Sequence, residues 1–264
     1  MSGELRITRE NARFQQWEAL LHNRSKRHRT REFLVQGVRP ITRAIEEGWT
    51  VRALLRADGA SSSWSDALWF TTHAEHVLLS PELHARLSGK EGAELVAVVE
   101  MPEDGVARLA DSRRPHGPVV VLDRPTSPGN IGTLARSADA FGASALVVTG
   151  HAADPYDPQA VRASTGSLFA LTVLRVPGPG PVVDWAHEHG YRIVGTDEDG
   201  SALADVDLAG RLVLVVGNET HGLSSAWRTV CDDVASIAMV GTASSLNAAV
   251  AGSIVLHEAL RRRS

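Results

Sequence analysis

One cysteine, Cys231, in a chain of 264 residues excludes an internal disulfide framework and suits a reducing compartment. Its neighbours Asp232 and Asp233 give no reason for an activated thiolate. No apolar run is long enough to span a bilayer, and the opening MSGELRITRENARF lacks the apolar core of a secretory signal. A soluble, cytoplasmic protein is therefore expected. The histidines are scattered, with neither HExxH spacing nor paired CxxC, so no metal is expected. GxGxxG after a strand is also missing, which removes the usual dinucleotide fingerprint.

What is present is globular in balance, with 43% hydrophobic and 22% charged residues, and long enough for one large domain or two of ordinary size. Net charge is −4, so the chain as a whole is not a basic nucleic-acid binder. Arginines nevertheless crowd the first segment, among them Arg24, Arg27 and Arg29 beside Lys26. A local contact with a polyanion and a solvated helix face both fit that run.

Periodicity predicts a helix over residues 11–21, a polar connection HNRSKRHRTRE, and strands at FLVQG, 51–55, 68–70 and 95–100. This is a small α/β domain over residues 1–104. Pro102, Gly105, Pro115 and Gly117 mark a linker over 105–117. From 118 to 264 strands and helices alternate, with strands at 119–122, 145–148, 168–176, 191–195, 212–216 and 234–239. The pattern predicts a mostly parallel, doubly wound sheet with its ligand site at the carboxyl ends of the strands. The last helix is read from SSLNAAVAGSIVLHEALRR, with Leu246, Val250, Ile254, Leu256 and Leu260 at helical spacing and small residues between them.

Three strand-to-helix loops concentrate the chemistry. The first runs from Asp123 through Asn130 to Arg136, and Asn130 and Arg136 are read as sharing one face of the helix start. The second is Gly217-Asn-Glu219-Thr-His-Gly222. Its glycines have Walker A spacing, but Leu223 stands where the phosphate-binding lysine belongs, so a triphosphate site is excluded. The third joins the last strand to the final helix through Ser244, Ser245 and Asn247.

Asn130-x5-Arg136, GNETHG and SSLNAAVA, in this order and each after an apolar strand, resemble the three signature motifs of the SpoU (TrmH-like) RNA ribose 2′-O-methyltransferases of the SPOUT superfamily. The N-terminal EFLVQGVRPI resembles the L30-like substrate-binding domain that precedes many of them. The resemblance implies a C-terminal α/β domain with a trefoil knot, a homodimer, and S-adenosylmethionine as cofactor. It implies a ribose 2′-hydroxyl of RNA as methyl acceptor, with 23S rRNA first and antibiotic resistance as one role. A tRNA enzyme of the same family and a non-catalytic RNA-binding protein are the alternatives.

Carried over by motif, Arg136, Asn130, Glu219, Ser245 and Asn247 form the catalytic set. Thr196, Gly217, Glu219, Gly222, Ile237, Met239 and Leu246 surround the cofactor, with Gly217 allowing close backbone approach. The basic charge of the N-terminal segment makes Arg24, Lys26, Arg27 and Arg29 the expected contacts to RNA phosphates. Guanidinium is normally fully protonated, so orienting phosphate and hydroxyl is the cheaper role for Arg136. The small-residue face of the final helix fits a subunit interface and core packing equally.

Overall fold

The computed structural model describes residues 4–59, 61–89 and 92–262. It divides into two compact units, one of residues up to Pro102 together with Tyr156–Ala170, the other of Glu103–Pro155 and Leu171–Ser264.

The first unit is built on a five-stranded sheet of β1 (Leu5–Ile7), β2 (Glu32–Gln36), β3 (Val51–Ala57), β4 (Glu75–Leu79) and β5 (Leu95–Glu100), in the order β1-β4-β3-β5-β2. Strand β5 runs antiparallel to both of its neighbours, whereas β1, β4 and β3 are parallel. Residues 68–70, expected as a strand, lie in helix α4 (Ser63–Thr71). Ser62 caps that helix by accepting from the Ser65 amide, and Trp69 supplies its buried side. The strand follows instead at β4. The polar connection also departs from expectation. Beyond α1 (Ala12–His22), Asn23 accepts from the Lys26 amide and starts a second helix, α2 (Arg24–Thr30).

Helix α2 corrects the reading of Arg27. Its side chain is buried, with the residue 1% exposed, and donates to the Leu20 carbonyl (2.8 Å) and to the Asp157 carboxylate (3.1 Å). Arg27 is therefore a structural arginine rather than a phosphate contact. It helps to bind α3 (Pro158–Ser164) and its flanks into this unit, although sequence order had placed them in the C-terminal domain. Aromatic packing holds the same segment. The Phe33 ring lies 4.9 Å from that of Tyr156, the Trp49 ring 5.2 Å from that of Phe169, and the Trp49 indole donates to the Phe169 carbonyl.

The second unit carries a six-stranded sheet of β6 (Val119–Asp123), β7 (Ala145–Thr149), β8 (Thr172–Val176), β9 (Arg192–Ala202), β10 (Leu212–Val216) and β11 (Asp233–Ser236). All its pairings are parallel, in the order β11-β9-β10-β6-β7-β8. Strands β6, β7 and β10 are buried along their whole length, which is why their sequences read as unbroken apolar runs. The stretch expected as a linker packs here as well, through a 3-10 turn at Val106–Asp111 that buries Leu109 in the core.

Two helices position the site. Helix α5 (Pro128–Ala140) follows β6, and α6 (Ala248–Arg261) ends the described chain. Helix α6 packs on α5 and β10 through Ala248, Ala249, Gly252, Val255, Leu256 and Ala259. A methyl group at Gly252 would meet Leu134 at 2.8 Å and Val216 at 2.9 Å, so only glycine lets the backbone lie this close. The small residues thus serve core packing. Of the stripe read from the sequence, Leu256 alone is buried, while Val250 (45% exposed), Ile254 (37%) and Leu260 (42%) face outward.

Replacing Arg27 with alanine removes one partner of a largely buried ion pair and orphans the Leu20 carbonyl, at a cost of about 3 kcal/mol. The urea midpoint of unfolding should fall accordingly in circular dichroism, and an unchanged midpoint would refute the structural role.

Candidate active site

The three loops meet where β6, β10 and β11 end. The first begins at Arg124, whose left-handed backbone (φ 51°) turns the chain out of the sheet. Ser127 then caps α5 by accepting from the Asn130 amide. The second loop closes on itself, because the amides of Asn218 and Gly222 each donate to the other's carbonyl. The Asn218 carboxamide ties it down further. Its oxygen accepts from the amides of Thr220 and His221, and its nitrogen donates to the Arg124 carbonyl at 2.6 Å. A methyl group at Gly217 would come within 2.5 Å of the Gly222 carbonyl carbon and 2.6 Å of the Leu223 nitrogen. The close approach that requires glycine at 217 is therefore made by the loop's own return.

Glu219 joins the first two loops. Its Oε2 accepts from the amide (3.1 Å) and the hydroxyl (3.0 Å) of Thr126, and its Oε1 from the Ser127 amide (3.4 Å) and the Asn130 side-chain nitrogen (2.8 Å). Burial works against the charged carboxylate, but the hydrogen bonds from Asn130 and Thr126 outweigh it and hold the pKa below its ordinary value. Ionised and with both oxygens engaged, Glu219 anchors the second loop to the first. The third loop enters through Asn247, whose nitrogen donates to the Asn130 oxygen at 2.9 Å. The oxygen of Asn247 accepts from the Ala249 and Val250 amides and caps α6. One continuous chain of hydrogen bonds thus runs from Thr126 through Glu219, Asn130 and Asn247 to the last helix.

Beside it lies a cleft of about 490 Å³. All seven residues expected around the cofactor line it, namely Thr196, Gly217, Glu219, Gly222, Ile237, Met239 and Leu246, and Ser245 does so too. Thr196 also donates its hydroxyl to the Val215 carbonyl. Ser245 is exposed and bonds to no described residue. Arg136 stands apart from the other members of the catalytic set. Its side chain projects into solvent from α5 and makes no hydrogen bond or ion pair with a described residue. Six residues along a helix correspond to a rotation of about 240°, so Asn130 and Arg136 do not share a face. In the first unit, Arg24 and Arg29 are exposed and Lys26 is partly so.

Sequence reasoning missed Asp197 and Arg228, which also line the cleft and form an ion pair of 2.7 Å. The available signal was an acid directly after Thr196, just beyond the strand expected at 191–195, which in the structure continues to Ala202. Burial opposes the charge of Asp197, but hydrogen bonds from Arg228 and from the Leu223 and Asp199 amides lower its pKa overall. Among the described residues no group of three or more His, Cys, Asp or Glu could hold a metal. Burial pushes the Cys231 thiol up to about 12, which leaves it inert as a nucleophile.

Glu219→Gln would set a donor against the Thr126 or Asn130 donors and should lower stability at neutral pH. The folded-state pKa of Glu219 is depressed, so its contribution is complete above the ordinary value of 4.5 and is lost as pH falls through the lowered one. The stability gap between the wild type and Glu219→Gln should therefore stay constant above about pH 5 and shrink under acid. A gap that widens on acidification would contradict the anchoring role.

Residues 117–257 match the model of the SpoU rRNA Methylase family, and residues 11–97 match that of the SpoU L30e-like domain. The chain is 53% identical to the 23S rRNA (uridine(2479)-2′-O)-methyltransferase of Streptomyces viridochromogenes, over 98% of its own length and 92% of that protein's. It is 29% identical to the 23S rRNA (guanosine(2553)-2′-O)-methyltransferase RlmP of Bacillus subtilis (strain 168), over 94% and 96%. The crystal structure of the SpoU methyltransferase AviRb from Streptomyces viridochromogenes in complex with AdoMet superposes with a TM-score of 0.90 at 52% identity, covering 96% of this chain and 98% of that one. With both halves matched and a relative of this identity along nearly the whole chain, the protein belongs to the SpoU rRNA methylase family.

Proposed function

We propose that this protein transfers a methyl group from S-adenosylmethionine to the ribose 2′-hydroxyl of a uridine in 23S rRNA. The observation that carries the proposal is the cleft walled by the interlocked loops, in a chain 53% identical to an enzyme of that activity. The cleft suits such a cofactor. Val216, Ile237 and Leu246 offer apolar surface to an adenine, and the carboxylates of Asp197, Glu198 and Asp199 favour a cationic ligand over a polyphosphate. When bound, S-adenosylmethionine supplies a methyl carbon activated by its sulfonium.

The protein's own task is alignment. Glu219 holds Asn130 and Thr126, and Asn247 fixes the start of α6 against Asn130, so the wall of the cleft is rigid before any ligand enters. Arg136 remains free to take an RNA phosphate and orient the hydroxyl with its planar fork. Arg24, Lys26 and Arg29 add a basic surface on the L30-like unit for the RNA backbone.

The reading includes a trefoil knot and a homodimer. The knot rests on the match of residues 117–257 to the SpoU methylase family. The dimer is supported by a shallow groove of about 300 Å³ on α5 and α6, lined by Thr133, Val250, Ile254 and His257. Localisation to the cytoplasm follows from an rRNA substrate.

Mapping ribose methylation on 23S rRNA from cells with and without the protein should reveal one lost uridine. Methylation confined to tRNA, or none, would overturn the proposal. Arg136→Ala should abolish turnover with cofactor affinity retained, and Arg136→Lys should recover little, because misplaced reacting groups cost about 10²-fold in rate. Full activity in either variant would remove Arg136 from the site. Light scattering should give twice the 28.3 kDa chain mass, and Val250→Asp with Ile254→Asp should halve it. A dimer that survives both changes lies elsewhere.

A further inference from the structure

Arg228 belongs to the short helix α7 (Ser225–Val230), placed after the Gly217–Gly222 loop by Ser224, which accepts from the Trp227 amide. Among the described residues it is the one lysine or arginine that lines the 490 Å³ cleft. Its Nη2 lies 2.7 Å from Oδ2 of Asp197, a carboxylate whose side chain is 7% exposed. Asp197 is held in turn, since Oδ2 accepts from the Leu223 amide (3.2 Å) and Oδ1 from the Asp199 amide (3.3 Å). The acid is therefore a fixed base for the guanidinium. The guanidinium makes no other ion pair or side-chain hydrogen bond with a described residue, and its side chain is 42% exposed. An arginine has five N–H donors in one plane, so most remain available to a planar anion.

The other charges around Arg228 restrict what that anion can belong to. Glu198 and Asp199 are exposed carboxylates on the same wall of the cleft. They would repel a ligand of net negative charge but attract an ammonium or sulfonium. The wall is thus complementary to a ligand that carries one carboxylate next to cationic groups, which is the amino-acid end of S-adenosylmethionine.

We infer that Arg228, oriented by Asp197, binds the carboxylate of the cofactor's aminobutyrate arm, with Glu198 and Asp199 facing its ammonium. This rests on the cofactor assignment of the proposed function. It makes the arm, and not only the adenosine, a determinant of affinity.

Calorimetry on the full-length protein with two neutral-sulfur probes separates the two claims. S-adenosylhomocysteine carries the arm, whereas 5′-methylthioadenosine has the same nucleoside without it. Arg228→Ala should weaken S-adenosylhomocysteine about tenfold or more, the usual loss for a charge-assisted hydrogen bond, and leave 5′-methylthioadenosine unchanged. Arg228→Lys keeps a cation beside Asp197 and should recover part of the loss, and it serves as the folded control if alanine lowers the melting temperature. Equal weakening of both probes in both variants would make Arg228 a structural residue, and unchanged binding of both would remove it from the site. If the wild type binds neither probe, the cofactor assignment itself fails.

Discussion

A carboxylate surrounded by donors from another loop holds this active-site region together. Glu219 receives the amide and hydroxyl of Thr126, the Ser127 amide and the Asn130 carboxamide, so the loop after β10 cannot move without the loop after β6. The remaining face of the Asn130 carboxamide accepts from Asn247, which brings in the last helix. Each group uses one end of its side chain to bond a neighbouring loop and leaves the other end for the next. Partly buried networks of this kind are rigid when every member is satisfied and costly when one is not. A carboxylate in this setting is charged at neutral pH, and both of its oxygens are engaged by the neighbouring loop.

Close packing makes that network reachable. Helix α6 brings Asn247 to Asn130 because Gly252 lets its backbone settle against Leu134 and Val216. In the second loop, Gly217 leaves room for the chain to double back at Gly222. These two glycines set distances between backbones, and the polar side chains then complete the geometry with bonds of about 3 Å. The same packing uses up the small-residue face of the last helix, and Val250 and Ile254 stand in solvent on its opposite side.

Local misreadings have a common origin. LWF at 68–70 has the composition of a strand, yet Ser62 caps a helix there and Trp69 alone finds the core. The run HNRSKRHRTRE reads as solvated because of its charge, yet Asn23 starts a helix in it and Arg27 turns inward to Asp157, 130 residues later in the chain. Composition reports what a residue prefers on average, whereas capping and a distant carboxylate decide what it does here.

By itself the sequence determined the alternation of strands and helices, the parallel sheet of the C-terminal unit and the three loops at its strand ends. These follow from local signals, namely unbroken apolar runs, glycine turns and an ordered set of motifs. Tertiary structure alone decided which loop residues touch. Asn130 meets Glu219 and Asn247 across 89 and 117 residues of chain, Asp197 meets Arg228, and Arg136 is left facing solvent. Such pairings depend on the order in which strands enter a sheet and on how closely helices lie upon it. Neither quantity has a period or a composition that a stretch of sequence could display.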